Sequence, residues 1–431
     1  MGCPRRPGAG CAARHRKERE RRTVVNWKQN LIVIWLSQFL SIMGFCFALP
    51  FMPYFIQKDL GVQDPQDLNF WVAVCSAATS GALAVFSPIW GLLGDRYGRR
   101  LMLIRANLAA AAVVALMGLV RSVEALALLR FLQGVFTGTV TAAQTMVAVG
   151  TPPHRSGLAL GSLSSAVFCG GMAGSLLGGV VAEHFGYREA FFAGSGLLLL
   201  AGMLVLAGAR EHVPSAAGAP SAPLAGARLG SAGLVAPILL LAVAVAFVRQ
   251  FDAPFVPLLV QDINMTIEGA SLWTGALQAL GGFAGLLSGL AIAPLADRIA
   301  PARVAAVAAL GAGLFLAPQA FATGFSALFI ARFAMTFCAA ALDPVFQIWL
   351  VKVTPPERRG AVFGWAATAR STGWLAASIA GGAVALAYGI RPLFLAGAFL
   401  FYAIVPVIAY VALRQKKRAP APERSPASTP A

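Results

Sequence analysis

"TPPHRSG", residues 151–157, returns as "TPPERRG", residues 354–360, 203 positions later (151 to 354). Each copy is a charged, proline-marked break between long apolar stretches. Sliding the chain against itself by 202 to 204 positions aligns further pairs: "PFMP" at 50–53 with "PFVP" at 254–257, Asp95-Arg96 with Asp297-Arg298, and Arg130-Phe131 with Arg332-Phe333. Gly186 and Arg188 likewise meet Gly389 and Arg391. Chance seldom keeps one offset over so many sites, so the chain reads as two copies of one unit.

The unit belongs in a bilayer. Of 431 residues 58% are hydrophobic and 12% charged, with a mean hydropathy of +0.73, far too apolar for a soluble chain of this length. About 20 apolar residues cross roughly 30 Å of hydrocarbon. Twelve such runs occur, at 31–56, 70–93, 101–120, 123–150, 157–182, 190–208, 234–260, 270–295, 303–320, 324–351, 361–388 and 392–413. The expected fold class is an all-α membrane protein with twelve transmembrane helices in two homologous six-helix bundles, at 27–210 and 232–415. Residues 211–231, rich in Pro, Gly, Ala and Ser, read as a cytoplasmic linker, and 1–26 and 416–431 as disordered cytoplasmic tails.

The net charge of +17 could suggest a nucleic-acid partner, but Lys and Arg gather in the tails and in alternate loops. The other loops keep only Lys58, Arg121, Arg188 and Arg391, the asymmetry of a plasma-membrane protein with both termini inside. The six cysteines have neither metal-ligand nor disulfide-framework spacing, and no nucleotide loop or nucleophile elbow is present, so no metal, cofactor or enzymatic activity is expected. Six plus six helices with termini inside describe a parallel-repeat secondary transporter, whose substrate binds near the midplane.

Three motifs resemble one family. "GLLGDRYGRR", Gly91 to Arg100, matches the loop signature of the major facilitator superfamily. "LRFLQG", Leu129 to Gly134, looks like its fourth-helix motif, with Arg130 in the place of the buried arginine. "GGMAGSLLGG", Gly170 to Gly179, is similar to the antiporter motif, with Ser175 where the proline belongs. The resemblance covers nearly the whole chain and is closest to bacterial drug:proton antiporters. It implies a conformational latch of Gly91, Asp95, Arg96, Gly98, Arg99 and Arg100, in which Asp95 meets the helix start after "TPPERRG". By the internal repeat, Asp297 with Arg298 would meet the helix start after "TPPHRSG". A carboxylate is stabilised at a helix N-terminus, so the repeated heptad would be one side of a duplicated latch. Gly91 would allow close helix approach and Gly98 a turn.

Gly170, Gly174 and Gly178 fall on one helix face and suit close packing, with Gly157 and Gly161 extending the stripe. The family reading, with Ser175 and Gly179, is a seal against proton leak. Ionisable residues inside spans are costly and are functional candidates. Here they are Arg130, Arg249, Asp252, Arg332, Asp343 and Arg370, with Arg105 nearer the edge and expected to snorkel. A buried carboxylate can take up and release a proton; an arginine cannot. Asp343 and Asp252 are therefore the proton-coupling candidates, joined through the resemblance by Arg130. The alternative for Asp343 is a permanent pair with an arginine such as Arg370, and for Asp252 a local pair with Arg249. Gln38, Phe45, Gln133, Gln144, Arg249, Gln278, Arg332, Phe346, Gln347, Trp365 and Arg370 are candidate linings of a substrate cavity.

The expected function is proton-coupled efflux of small amphipathic compounds by a multidrug-type carrier, expected to be monomeric and powered by the proton gradient, with the bilayer, protons and a small molecule as partners and no nucleic acid. The rivals are an uptake permease for an organic anion or sugar, and a non-transporting receptor on a transporter scaffold.

Overall fold

The computed structural model describes residues 27–152, 155–211, 232–292, 295–354 and 359–418. The expected N-terminal tail, the linker beyond Glu211 and residues 419–431 lie outside the described residues, while residues 416–418, expected in the C-terminal tail, continue the last helix, Ile390–Arg418. Eleven helices among the described residues are long and apolar enough to cross a membrane: α1 (Trp27–Lys58), α2 (Pro65–Gly94), α3 (Arg99–Leu119), α4 (Val123–Ala148), α5 (Gly157–His184), α6 (Tyr187–Gly208), α7 (Pro237–Asn264), α8 (Ala270–Ala291), α9 (Pro301–Phe321), α10 (Phe325–Leu350) and α12 (Ile390–Arg414). The remaining expected span is α11 (Arg359–Tyr388), 30 residues long. In hydrocarbon the backbone N–H and C=O groups must be satisfied within the protein, which is why these runs are helical over most of their length.

The repeat reappears in where the helices break. In α1 the 3-10 turn Leu49–Phe51 interrupts the helix at "PFMP"; in α7 the turn Ala253–Phe255 does so at "PFVP". Prolines 50 and 53, like 254 and 257, carry no N–H for the preceding turn. Helix α4 breaks at Thr137 and Gly138, where φ is +138°, and α10 breaks at Ala341, between Ala340 and Leu342. Pro344 cannot donate back to Ala340, which fixes the second break. Gly186 and Gly389, with φ of +115° and +87°, turn the chain from α5 into α6 and from α11 into α12. After each turn an arginine staples the bundle. Arg188 donates to Asp59 at 3.1 Å and to the Gly118 carbonyl at 2.8 Å, and Arg391 donates to Asp262 at 2.7 Å and to the Ala320 and Ala322 carbonyls.

Packing divides the chain into two compact units. One comprises Met1–Asp64, Gly81–Ser221 and Thr266–Phe283; the other comprises Pro65–Ser80, Ala222–Met265 and Ala284–Ala431. They follow the sequence halves except for an exchange: the first part of α2 packs with the second half, and the first part of α8 with the first half.

Inside the first unit α1 and α5 touch backbone to backbone. A Cβ on Gly170, Gly174 or Gly178 would lie 2.5, 2.4 or 2.2 Å from the carbonyl oxygens of Phe39, Met43 and Phe47. The second unit repeats the device between α7 and α11, where a Cβ on Gly373 or Gly381 would lie 2.4 or 2.6 Å from the carbonyls of Val243 and Phe251, with Ala377 fully buried between them. Gly170, Gly174 and Gly178 thus approach α1 closely, whereas the expected extension of the stripe does not. Gly157 and Gly161 are exposed and have nothing within 4 Å of an added Cβ, although α1 and α5 still meet at this level through Trp35, whose Nε1 donates to the Ser162 carbonyl at 2.8 Å.

Candidate functional site

The charged residues expected inside the spans gather mainly in the second unit, at the breaks of α7 and α10. Asp252 lies at the bend that ends the first piece of α7, and Asp343 lies in the first turn of the second piece of α10, where unpaired N–H groups favour a carboxylate. Arg332 Nη1 donates to Asp252 Oδ2 at 2.6 Å and lies 3.5 Å from Gln319 Oε1, in the 3-10 turn that ends α9. Arg249 donates to Asp343.

The two pairs differ in exposure. The side chains of Arg332 and Asp252 are 11% and 1% exposed, whereas those of Arg249 and Asp343 are 29% and 36% exposed. The first pair is a core element; the second faces an accessible space. Asp252 keeps one oxygen, Oδ1, buried with no hydrogen-bond partner among the described residues.

These partners correct two sequence expectations. Asp252 does not pair with Arg249 three residues before it, because the bend at Phe251 and Asp252 turns it off that helix face. The arginine that holds Asp343 is Arg249 and not Arg370, whose half-buried guanidinium lies 5.9 Å from the centre of the Trp374 ring, one turn along α11. Arg105, expected to reach outward, instead stacks 3.4 Å over the Trp90 ring, and Trp90 Nε1 donates to the Val135 carbonyl at 2.6 Å. A planar guanidinium over an indole face gains cation–π attraction that offsets its partial burial.

In the first unit Arg130, the repeat counterpart of Arg332, donates to Gln133 Oε1 at 2.6 Å. Gln133 is buried and thus holds an arginine. Gln38 is 1% exposed, with neither amide atom hydrogen-bonded, since its helix face is shared with the buried Ile34 and Ser41. It lies in the core and not on an open wall. Phe346 is buried too, stacked on Trp349 at 5.7 Å. Of the other expected lining residues, Phe45 and Gln278 are half-buried, and Gln144, Gln347 and Trp365 are exposed.

Both heptads do open helices: Ser156 begins one and Arg359 the other. The side chains of Asp95 and Asp297, and residues 153–154 and 355–358, lie outside the described residues, and with them the contacts of the expected latch. Around it, Gly98 adopts φ of +95° and starts α3, while Gly91 makes no close approach, having nothing within 4 Å of an added Cβ. Arg96 and Arg298 are exposed. The backbone N–H groups of Arg99 and Arg100 donate to the two carboxylate oxygens of Glu211, at 2.9 and 2.8 Å. Sequence reasoning placed Glu211 in the linker and missed this cap; an acid preceding a proline-rich stretch carries no spacing signal toward a helix start 112 residues earlier in the chain.

Comparison with known proteins agrees with this architecture. The family model of the Major Facilitator Superfamily matches residues 34–285 and again 238–430. A multidrug resistance protein MdtG of Klebsiella pneumoniae (strain 342) is 33% identical over 386 residues, 89% of this chain and 93% of that protein. The MdtG of Salmonella typhimurium is 32% identical over 384 residues, 88% of this chain and 95% of that protein. Among solved structures, the nucleoside transporter NupG superposes with a TM-score of 0.75 at 14% identity, over 88% of this chain and 99% of that one. The transporter PepTSo does so with 0.76 at 14%, over 92% and 100%. A repeated six-helix unit, broken helices at matching positions and a family match spanning both halves lead to one conclusion: the chain is a multi-pass membrane transporter and belongs to the Major Facilitator Superfamily.

Proposed function

We propose that the protein exports small amphipathic compounds in exchange for protons, with Asp343 as the proton carrier and Arg249 as its counter-charge. The observation that supports this reading is the Arg249–Asp343 pair, an accessible carboxylate inside a membrane span and at a helix break. Protonation of Asp343 removes the charge that holds Arg249, so that one proton frees one cationic side chain; loss of the proton restores the pair. Asp252 is less suited to the task, since Arg332 holds it in the core at 1% exposure. Export as the direction, and drugs as the substrate, rest on the relatives called multidrug resistance proteins. One charge moving through 100 mV releases about 2.3 kcal/mol, enough for appreciable accumulation. The reading puts both termini inside, which the loop charges favour.

The test is flux of a fluorescent lipophilic cation in proteoliposomes under an imposed pH gradient, with wild type beside Asp343→Asn. Dye movement against protons in the wild type and its loss in the variant are expected. Equal flux in both would remove Asp343 from the mechanism.

A further inference from the structure

We infer that Glu183, Tyr187 and Tyr54 form a clasp on the first turns of α8 that must open during the transport cycle. Three hydrogen bonds within the first compact unit join residues of the first sequence half to the start of a helix from the second. Glu183 Oε1 accepts from the Gly269 N–H at 2.7 Å, the Tyr187 hydroxyl lies 3.0 Å from Ser271 Oγ, and the Tyr54 hydroxyl lies 2.8 Å from Thr274 Oγ1. Both tyrosines, Ser271 and Thr274 are buried. Beneath the hydroxyls the helices touch directly: a Cβ on Gly179 would lie 2.7 Å from the Ser271 carbonyl, and one on Gly275 2.5 Å from the Ser175 carbonyl.

The placement of Glu183 argues for a role. It lies in the last turn of its own helix, where the dipole disfavours a negative charge, and its carboxylate accepts from Gly269, one residue before the start of α8, where the same physics favours it. A carboxylate unfavourable for its own helix and favourable for another belongs to the contact between them. The internal repeat supplies a contrast. At the positions equivalent to Glu183, Tyr187 and Tyr54 the second half carries Leu386, Ile390 and Leu258. At the matching contact there, between α2 and α11, a Cβ on Gly382 would lie 2.3 Å from the Ala73 Cβ, and Asn69 Nδ2 donates a hydrogen bond to the Ala385 carbonyl at 3.4 Å. The polar clasp is therefore not a requirement of the repeated fold but an addition to one of its two copies. Hydrogen bonds suit a contact that must part, because each group released is satisfied by water, whereas an apolar seal exposes surface when it opens.

The inference rests on the carrier reading, but its test does not need a substrate. In the full-length chain with its cysteines replaced, spin labels at Gln63→Cys and Thr323→Cys, in exposed loops of the two sequence halves, report the distance between them by pulsed electron resonance. Glu183→Ala should increase the population of separated labels at least about threefold, the ratio expected from losing one ordinary hydrogen bond. Tyr54→Phe with Tyr187→Phe should shift it in the same direction, and keeps both rings should Glu183→Ala fail to fold. Distance distributions superimposable on the parent's for the folded variants would overturn the clasp, even in a protein that moves dye. A shifted distribution in a protein that moves no dye would uphold the clasp and remove the export reading.

Discussion

Arg249 and Asp252 sit one turn apart on α7, yet Arg249 reaches Asp343 while Asp252 accepts from Arg332 at 2.6 Å. The two ion pairs thus tie the same two helices at two depths, one in the core and one toward an accessible space. A core pair stripped of one member leaves a buried charge uncompensated, typically about 3 to 5 kcal/mol of destabilisation. Asp252→Ala and Arg332→Met should each lower the thermal unfolding midpoint in detergent sharply. The double variant should recover most of the loss, because it buries no unpaired charge.

The half-buried pair predicts a different balance. Arg249→Met should unfold closer to wild type than Arg332→Met does, since its pair is less desolvated than the core pair, yet it should abolish the pH dependence of dye flux in proteoliposomes. An unfolding midpoint as low as that of Arg332→Met would mean that Arg249 serves the core after all.

Backbone contacts make a sharper steric prediction. Gly178→Ala would put a methyl group 2.2 Å from the Phe47 carbonyl and Gly381→Ala one 2.6 Å from the Phe251 carbonyl, and in each case the nearest atom is backbone that cannot rotate away. Each should cost about 1 to 3 kcal/mol, the usual range for overpacking, and reduce the monodisperse yield. Gly161→Ala, with open space around it, should be tolerated and serves as the control.

At the start of α3, Glu211→Ala removes a carboxylate that accepts two backbone N–H bonds. A lost helix cap costs about 0.5 to 2 kcal/mol. Hydrogen exchange should quicken in the first turn of α3 and remain unchanged in the α7–α11 pair.

Much of the architecture was legible because it is duplicated. The offset of 202 to 204 residues that aligns "PFMP" with "PFVP" carries through to the structure, where both helices break at these prolines. The glycine stripe in α5 was legible as a row of small residues on one helix face, and its twin at Gly373, Ala377 and Gly381 could have been found by the same offset. The charged site was legible in its members but not in its pairing. A spacing of three residues argues for a bond between Arg249 and Asp252 only if the helix is continuous, and here it bends between them. Gln38 reads as a cavity residue by its polarity alone, whereas its burial is set by the neighbours on its helix face. The clasp left no trace in the sequence, since Glu183, Tyr187 and Tyr54 lie far from Gly269, Ser271 and Thr274 along the chain and match no motif.

The paired helices α1 with α5, and α7 with α11, come closest at glycines set directly against backbone carbonyls. A contact made of side chains can creep, one rotamer at a time; a glycine set against backbone has no such intermediate steps. Each of these helix pairs should therefore behave as a single stiff lever. Whatever bending or sliding turnover requires is left to the broken stretches of α1, α4, α7 and α10 and to contacts that, like the tyrosine hydroxyls on α8, can let go and re-form.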